Sequence, residues 1–119
     1  MADGDLADLS AEWLNMGALA ERLDELPSRI RDMVRERRLL FVDVGEPPVA
    51  SVPVEFVHDG HLIKGLSGAL TVLTDAGYKP AEAVRWLLTD NDALPGRPVD
   101  LMAAGRHTAV KRLALTLAF

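Results

Sequence analysis

Five arginines lie within eleven residues of the sequence, from Ser28 to Arg38, where only Asp32 and Glu36 oppose them. This segment has a net charge of +3 in a chain whose net charge is −5. Guanidinium groups bind phosphates and donate paired hydrogen bonds to the edge of guanine, so this cluster is suited to DNA. The first 26 residues hold seven acidic residues against Arg22 alone, which places the acidic excess of the chain outside the arginine cluster.

The spacing of apolar residues predicts that the arginines lie on a helix from about Pro27 to Arg37. Ile30, Met33 and Val34 would form its buried stripe and leave the polar side chains outward. We predict the following DNA-binding residues: Ser28, Arg29, Arg31, Asp32, Arg35 and Arg38. The alternative is a solvated face stabilised by ion pairs. Arg31 and Arg35 are a like-charge pair at i, i+4, however, which such a face would avoid.

A shorter helix is predicted before the arginines, from about Met16 to Leu23. Asn15 is its expected N-cap, because a side-chain oxygen at that position accepts from the free amides of the first turn. Asp24 follows in a turn position that often requires positive φ, a conformation that aspartate tolerates better than most residues do.

The start of the arginine-bearing helix is less clearly marked. Pro27 suits the first helical position, where its missing N–H costs nothing. Leu26 would then be the N-cap, which is a poor choice because leucine has no side-chain acceptor, so Ser28 is an alternative cap.

Two apolar runs after the arginines predict a β-hairpin. Leu39 to Val44 has the pattern of a half-buried strand, residues 45–48 have turn chemistry, and Val49 to Val54 returns, with Pro53 at an edge or at its end. Helix, turn, helix and hairpin follow each other as in a winged helix-turn-helix. The hairpin tip carries Glu46 and no lysine or arginine, so we expect the tip to contribute little to DNA binding.

The second half of the sequence predicts helices. We expect them over Leu66 to Ala76, from Pro80 to Leu88, from Pro98 to near Gly105, and over Arg106 to Leu117. In the last helix, the residues expected inward are Val110, Leu113 and Leu117. Its outward basic residues are either a second phosphate contact or a solvated face: Arg106, His107, Lys111 and Arg112.

These elements predict a mainly α fold with a small β-hairpin, in which a winged helix-turn-helix is followed by a C-terminal helical bundle. We expect an acidic flexible tail over residues 1–12, the winged helix-turn-helix over residues 13–57, and a C-terminal helical region packed on it over residues 58–119. At 119 residues, 49% of them hydrophobic, the chain has enough apolar side chains for one core.

The motifs of enzymes and metal proteins are missing from the sequence. It contains no cysteine, no glycine-rich phosphate loop, no nucleophile elbow and no helix with paired His and Glu. We therefore expect no enzyme, no catalytic residue and no cofactor. His58 and His61 have the spacing of metal ligands but lack a third ligand nearby, and Asp90 and Asp92 lack the rest of a calcium loop, so we expect no metal site.

The N-terminus and the apolar runs favour a cytoplasmic protein, associated with the nucleoid when it is bound to DNA. The first eight residues are acidic and lack the basic start and apolar stretch of a signal peptide. No apolar run approaches the roughly 18 residues that a membrane helix needs, so we expect no membrane partner.

Motifs from Val52 onward resemble a known family. They are Val52-Pro53, Gly60, Ile63 through Tyr78, Arg85-Trp86-Leu87, Arg97 through Asp100, and Arg112 through Phe119. Together they resemble a small actinobacterial family of winged helix-turn-helix DNA-binding regulatory proteins that includes a mycobacterial substrate of a Ser/Thr protein kinase. The resemblance covers about residues 13–119, and it implies double-stranded DNA as the partner, transcription regulation as the role and the arginine-bearing helix as the contact.

The resemblance also implies a Ser/Thr protein kinase as a partner. In the family, kinase regulation involves a threonine in the N-terminal tail, whereas the first threonine of this chain is Thr71 and the only hydroxyl in the tail is on Ser10. The glycine that the family has in the helix-turn-helix turn is replaced by Asp24.

Residues 86–101 also resemble the toxin-binding half of antitoxins of the Xre/MbcA/ParS type. The alternative function is therefore a protein-interaction module, antitoxin-like or an adaptor, that uses its C-terminal helices. The oligomeric state, the operator, the regulated genes and the sign of regulation stay open at the level of sequence.

Overall fold

The computed structural model of the chain describes residues 6–118. The α-helices are α1 (Met16–Leu23), α2 (Pro27–Arg35), α3 (Leu66–Asp75), α4 (Pro80–Leu88), α5 (Pro98–Ala103) and α6 (His107–Leu115). The strands are β1 (Trp13–Asn15), β2 (Val42–Val44), β3 (Val49–Pro53), β4 (Val57–His58) and β5 (His61–Leu62), and 3-10 turns cover Val54–Phe56 and Thr116–Ala118. The predicted mainly α fold with a small β-hairpin is confirmed.

Helix α1 has both predicted ends. The Asn15 side chain accepts a hydrogen bond from the Ala18 amide at 2.9 Å, which satisfies one free donor of the first turn. At the other end Asp24 takes the left-handed conformation, with φ 54° and ψ 48°. Local side-chain chemistry therefore sets the length of α1 and the direction in which the chain leaves it.

Helix α2 begins as predicted and ends two residues earlier than predicted. Pro27 is its first residue, and Leu26 is the N-cap without a side-chain hydrogen bond, so the alternative cap Ser28 is wrong. The helix ends at Arg35 because Arg37 has φ 62°, which turns the chain back so that the Arg38 amide donates to Met33 O at 2.9 Å.

The buried side of α2 is narrower than predicted. Ile30 and Met33 are buried, with exposed fractions of 0% and 5%, but Val34 is 37% exposed. Val34 lies about 100° around the helix from Met33, at the margin of a stripe that two residues fill. Its assignment to the buried stripe was wrong.

The predicted hairpin is part of a three-stranded antiparallel sheet in the order β1-β3-β2. Val44 pairs with Val49 in the hairpin, and Leu14 pairs with Val52 on the other side of β3. Strand β1 was not predicted, and β2 begins at Val42 although Leu39 is also buried. The sheet joins the entry to α1 with the segment that follows α2, which fixes both helices against one core.

Residues 6–12 pack on the fold, so the expectation of a flexible tail is wrong for this part, while residues 1–5 lie outside the described residues. Leu6 and Ser10 are buried. The Trp13 indole N–H donates to Ala7 O at 3.0 Å, and the Ser10 hydroxyl donates to Glu55 Oε1 at 2.6 Å. Apolar burial and these hydrogen bonds outweigh the acidic composition from which the tail was predicted.

Arg97 connects the N-terminal segment with the C-terminal helices. Its guanidinium donates to Leu9 O at 3.2 Å, lies 3.2 Å from Glu55 Oε2 and donates to Asp100 Oδ2 at 2.8 Å. The hydrogen bond to Asp100 raises the pKa of Arg97, partial burial opposes this rise, and the charges of Asp100 and Glu55 add to it. Arg97 thereby holds together three parts of the fold: the N-terminal segment, the 3-10 turn that follows β3, and helix α5.

The C-terminal helices pack most closely where α3 meets α6. Gly65, just before α3, has φ 87°, and a Cβ atom there would lie 2.5 Å from the Cβ of His107. Val110 and Ala114 of α6 are fully buried, whereas Leu113 is partly buried and Leu117 is 36% exposed. The prediction of Leu117 as inward was wrong, because residues 116–118 form a 3-10 turn that changes the face on which side chains lie.

No helix formed by residues 6–118 combines the length and the apolar character required to span a membrane.

Candidate nucleic-acid interface

The outward face of α2 carries four of the six predicted DNA-binding residues. Ser28, Arg31, Asp32 and Arg35 are spaced i, i+3, i+4 and i+7, so they lie along one side of the helix. Ser28, Arg31 and Arg35 are exposed, and Asp32 is half-buried. We call these four residues the outward face of α2. It lies opposite Ile30, which has no exposed surface.

Arg35 forms an ion pair within this face. Its Nη1 lies 2.8 Å from Asp32 Oδ1, at i, i+3. The Arg35 side chain is 74% exposed, so water screens the pair and its contribution to stability is at most about 1 kcal/mol. A phosphate or a guanine edge would therefore replace Asp32 as the partner of Arg35 at little cost.

Arg31 has a much weaker partner than Arg35. Its Nη1 lies 3.7 Å from the sulfur of Met16, which is a weak acceptor. Among the ion pairs of residues 6–118, none includes Arg31. Met16 is the first residue of α1, so Arg31 lies beside the start of that helix and carries a positive charge that no carboxylate neutralises within 4.0 Å in the described part of the chain.

Arg29 and Arg38 lie on the flank of α2 and not on its outward face. They line a groove of about 220 Å³ between α2 and the short β4–β5 hairpin, together with Glu25 and His61. Arg29 is half-buried, and Arg38 lies 3.7 Å from Glu36. The structure therefore divides the predicted residues into two groups, one on the outward face of α2 and one in this flanking groove.

Arg37 belongs to the same arginine cluster but serves a different purpose. Its Nη2 donates to Thr74 Oγ1 at 3.2 Å and lies 3.4 Å from Asp75 Oδ1, at the end of α3. These contacts join the end of α2 to the C-terminal helices. They also explain why part of the charge seen in the sequence does not reach the outward face of α2.

Leu26 lies beside the outward face of α2 and was not among the predicted DNA-binding residues. It is 72% exposed and stands directly before the first turn of α2. Pro27 has no N–H, and the Arg29 amide donates to Leu26 O at 2.9 Å. Because leucine has no side-chain acceptor, the Ser28 amide of the first turn is left for an outside anion. The signal was present in the sequence as an apolar residue at a cap position.

The two hairpins differ in the residues that their turns carry. The β2–β3 turn is exposed over residues 45–48 and carries Glu46. The β4–β5 hairpin turns at Asp59 and Gly60, with φ 52° and 78°, and pairs His58 with His61. Within residues 6–118, no three side chains of His, Cys, Asp or Glu come together as metal ligands.

The fold and the outward face of α2 define a small mainly α protein with a helix, a turn, an arginine-bearing helix and a hairpin before a set of packed helices. Residues 63–118 match the family described as the Rv2175c C-terminal domain of unknown function. The chain is 30% identical to the DNA-binding protein Rv2175c of Mycobacterium tuberculosis over 131 residues, which cover 99% of this chain and 88% of that protein.

The solved NMR structure of Rv2175c has the same fold. It matches with a TM-score of 0.77 and 30% identity over 91% of this chain and 82% of the other. The chain belongs to the family of this mycobacterial protein.

Proposed function

We propose that this protein binds double-stranded DNA by placing α2 in the major groove. The observation that carries the proposal is the outward face of α2, where Arg31 and Arg35 are exposed opposite the buried Ile30. An α-helix fits the major groove, and arginine is the side chain that most often reads guanine there. The name of the related protein, a DNA-binding protein, supports the same role.

Each residue of the outward face has a role suited to its chemistry. Arg31, without a carboxylate partner, and Arg35, which can exchange Asp32 for an outside acceptor, would reach guanine edges or phosphates. Asp32 would accept from the amino group of cytosine, and the Ser28 hydroxyl would bind a phosphate or a base. The Ser28 amide at the uncapped start of α2 adds a donor for a phosphate.

The remaining parts of the fold hold this helix in place. We propose residues 13–57 as the winged helix-turn-helix that meets DNA and residues 58–119 as the helical region that supports it. Arg37 connects the two through Thr74 and Asp75. In this proposal the protein regulates transcription at the nucleoid, and the β2–β3 tip contributes little because it carries Glu46.

Fluorescence anisotropy of a labelled duplex, titrated with the full chain at two salt concentrations, tests this function. We expect micromolar or tighter binding at low salt that weakens steeply as salt rises, because counterions are released from phosphates. Joint replacement of Arg29, Arg31 and Arg35 by alanine should remove the binding. A triple variant that binds as tightly as the unchanged chain would contradict the proposal.

A second candidate function is a protein-interaction module, supported by a groove on α4. Tyr78, Glu82, Trp86, Thr89 and Asn91 line this groove of about 350 Å³, so it combines two aromatic rings with polar side chains. Aromatic residues of this kind anchor protein interfaces. A partner retained after nuclease treatment, and lost with Trp86→Ala, would favour this function over DNA binding.

We also propose a Ser/Thr protein kinase as a partner, acting on a hydroxyl that the folded chain exposes. Ser10 is 8% exposed and its hydroxyl donates to Glu55 Oε1, with Glu12 O also 2.8 Å away, so the folded chain does not present it. Ser28 is exposed on the outward face of α2, where a phosphate would oppose the approach of DNA. Mapping the phosphorylated residue by mass spectrometry would test this, and modification at Ser10 of the folded chain would contradict it.

A further inference from the structure

The groove between α2 and the β4–β5 hairpin has the chemistry of a phosphate site. We propose that it holds a backbone phosphate of the DNA whose major groove receives α2, with Arg29, Arg38 and His61 as the binding residues. The inference rests on the proposed function and deepens it. It assigns the flanking residues to the sugar-phosphate backbone and leaves the outward face of α2 for the bases.

The position of His61 follows from the backbone of the hairpin. Asp59 and Gly60 both have positive φ, which forms the two-residue turn that matches the twist of short antiparallel strands. A Cβ atom at Gly60 would lie 3.8 Å from Arg22 O, so this turn packs against the end of α1. Because α1 also contacts α2, the hairpin holds His61 at the side of the arginine-bearing helix.

The charges in the groove favour an anion. Arg29 is half-buried, and no ion pair of residues 6–118 includes it. Arg38 has Glu36 at 3.7 Å, a long distance between two side chains that are each about half exposed. Glu25 is the one carboxylate among the residues that line the groove.

The shape of the groove fits a phosphate that remains partly in water. Leu23 and Met33 contribute apolar surface, and polar groups surround a volume of about 220 Å³. An imidazole donates one N–H when neutral and two when protonated, so His61 offers a donor in either state. His58 and Asp59 belong to the same turn but do not line the groove, and His58 Nε2 lies 3.4 Å from Asp59 Oδ2.

A phosphate beside α2 is also what the geometry of a recognition helix requires. Contacts to the backbone on each side of the major groove fix the register of such a helix, while bases set its specificity. The β2–β3 tip carries Glu46 and would repel a phosphate. The shorter β4–β5 hairpin therefore takes the backbone contact that a basic wing would otherwise make.

Binding of labelled duplexes by full-length variants tests the assignment. We expect Arg29→Ala to weaken binding about tenfold for every sequence and to lower the salt slope by about 1, because one phosphate contact is lost. His61→Ala should weaken binding about threefold. The matched control is His58→Ala, which removes the same side chain from the opposite position of the hairpin and should leave the affinity unchanged.

A variant that gains affinity gives an independent test. Glu25→Gln removes the carboxylate from the groove and should tighten DNA binding about threefold, since the phosphate no longer meets a like charge. Glu21→Gln changes the net charge equally on the exposed side of α1, outside the groove, and should have a smaller effect. Equal gains from both variants would mean that only the overall charge matters, and would count against the groove.

The outcomes separate this inference from the proposed function. If Arg31→Ala weakens DNA binding but Arg29→Ala and His61→Ala do not, DNA binding stands and the phosphate site is overturned. If the unchanged chain binds no DNA, the proposed function fails. Titration with inorganic phosphate, monitored by amide NMR shifts, then tests whether the groove binds an anion. Shifts confined to Arg29, Gly60 and His61 would keep an anion site there, and no shifts would remove it.

Discussion

Helices α2 and α6 each carry exposed basic side chains, but the two helices are built into the fold in different ways. In α6, Val110 and Ala114 are fully buried. The side chain of Lys111 lies over Gly68 of α3, and its Cδ is 3.7 Å from the position that a Cβ atom on Gly68 would take. In α2, Arg31 and Arg35 extend into solvent from a helix that is anchored by Ile30 and Met33.

The difference shows that charge on a helix does not by itself define a binding surface. The carbon chain of a lysine can cover apolar or backbone surface while its ammonium group stays in water, and Lys111 uses its chain in this way. The side chains of Arg31 and Arg35 are exposed and take little part in packing. The comparison therefore favours α6 as a structural helix and α2 as the helix that meets a partner.

Gly65→Ala should have the largest effect, because it acts on the closest packing of α6. The new Cβ would lie 2.5 Å from that of His107, at a residue with φ 87°, so steric overlap and backbone strain add. We expect a loss of about 2–5 kcal/mol in the free energy of unfolding, measured by urea denaturation. Gly77→Ala is the control, since its φ is 98° but no atom lies within 4 Å, and it should cost only about 1 kcal/mol. Equal losses would show that packing against α6 is not tight.

Paired replacement of arginines should separate the two basic surfaces. Arg31→Ala with Arg35→Ala should weaken DNA binding on the order of 100-fold, because each base contact contributes about 1–3 kcal/mol. Lys111→Ala with Arg112→Ala removes the same number of charges and should weaken binding less than about threefold at moderate salt, through long-range attraction alone. Similar losses in anisotropy titrations would mean that α6 is a second DNA contact.

Much of the N-terminal fold was predictable because local rules decide it. Asn15 caps α1, Asp24 takes positive φ and Pro27 begins α2, and each of these depends on neighbours within a few residues. Helices α3 and α4 also lie where the apolar spacing placed them, with Gly77 at φ 98° after the first.

The remaining features depend on residues that are distant in the sequence. Strand β1 has three residues, too few for an alternating pattern, and exists because Leu14 pairs with Val52. Acidic composition predicted a loose tail, but Leu6 is buried against the core and Arg97 binds Leu9 O. Composition does not reveal such tertiary contacts.

The candidate site shows the same limit. Helical periodicity was sufficient to place Arg31 and Arg35 on the outward face of α2. It did not separate Arg29 from them, because the groove that Arg29 lines is completed by His61, which lies more than thirty residues later in the chain. In the sequence, His61 stands out only as half of a spacing typical of metal ligands.

The smallest predicted effect concerns the start of α2, where stability and DNA binding should move in opposite directions. Leu26→Ser should add about 1 kcal/mol to the free energy of unfolding, because the extended backbone at Leu26, with φ −74° and ψ 149°, suits a capping hydroxyl. The same hydroxyl would accept from the Ser28 amide, which a DNA phosphate would otherwise use, so we expect DNA affinity to fall about two- to threefold. Leu26→Ala removes the apolar side chain without adding a cap and should leave stability nearly unchanged, since Leu26 is 72% exposed. A serine variant that is more stable and binds DNA as tightly as the unchanged chain would show that the start of α2 does not face the DNA. The insertion of α2 would then have to be revised toward contacts from its middle and end.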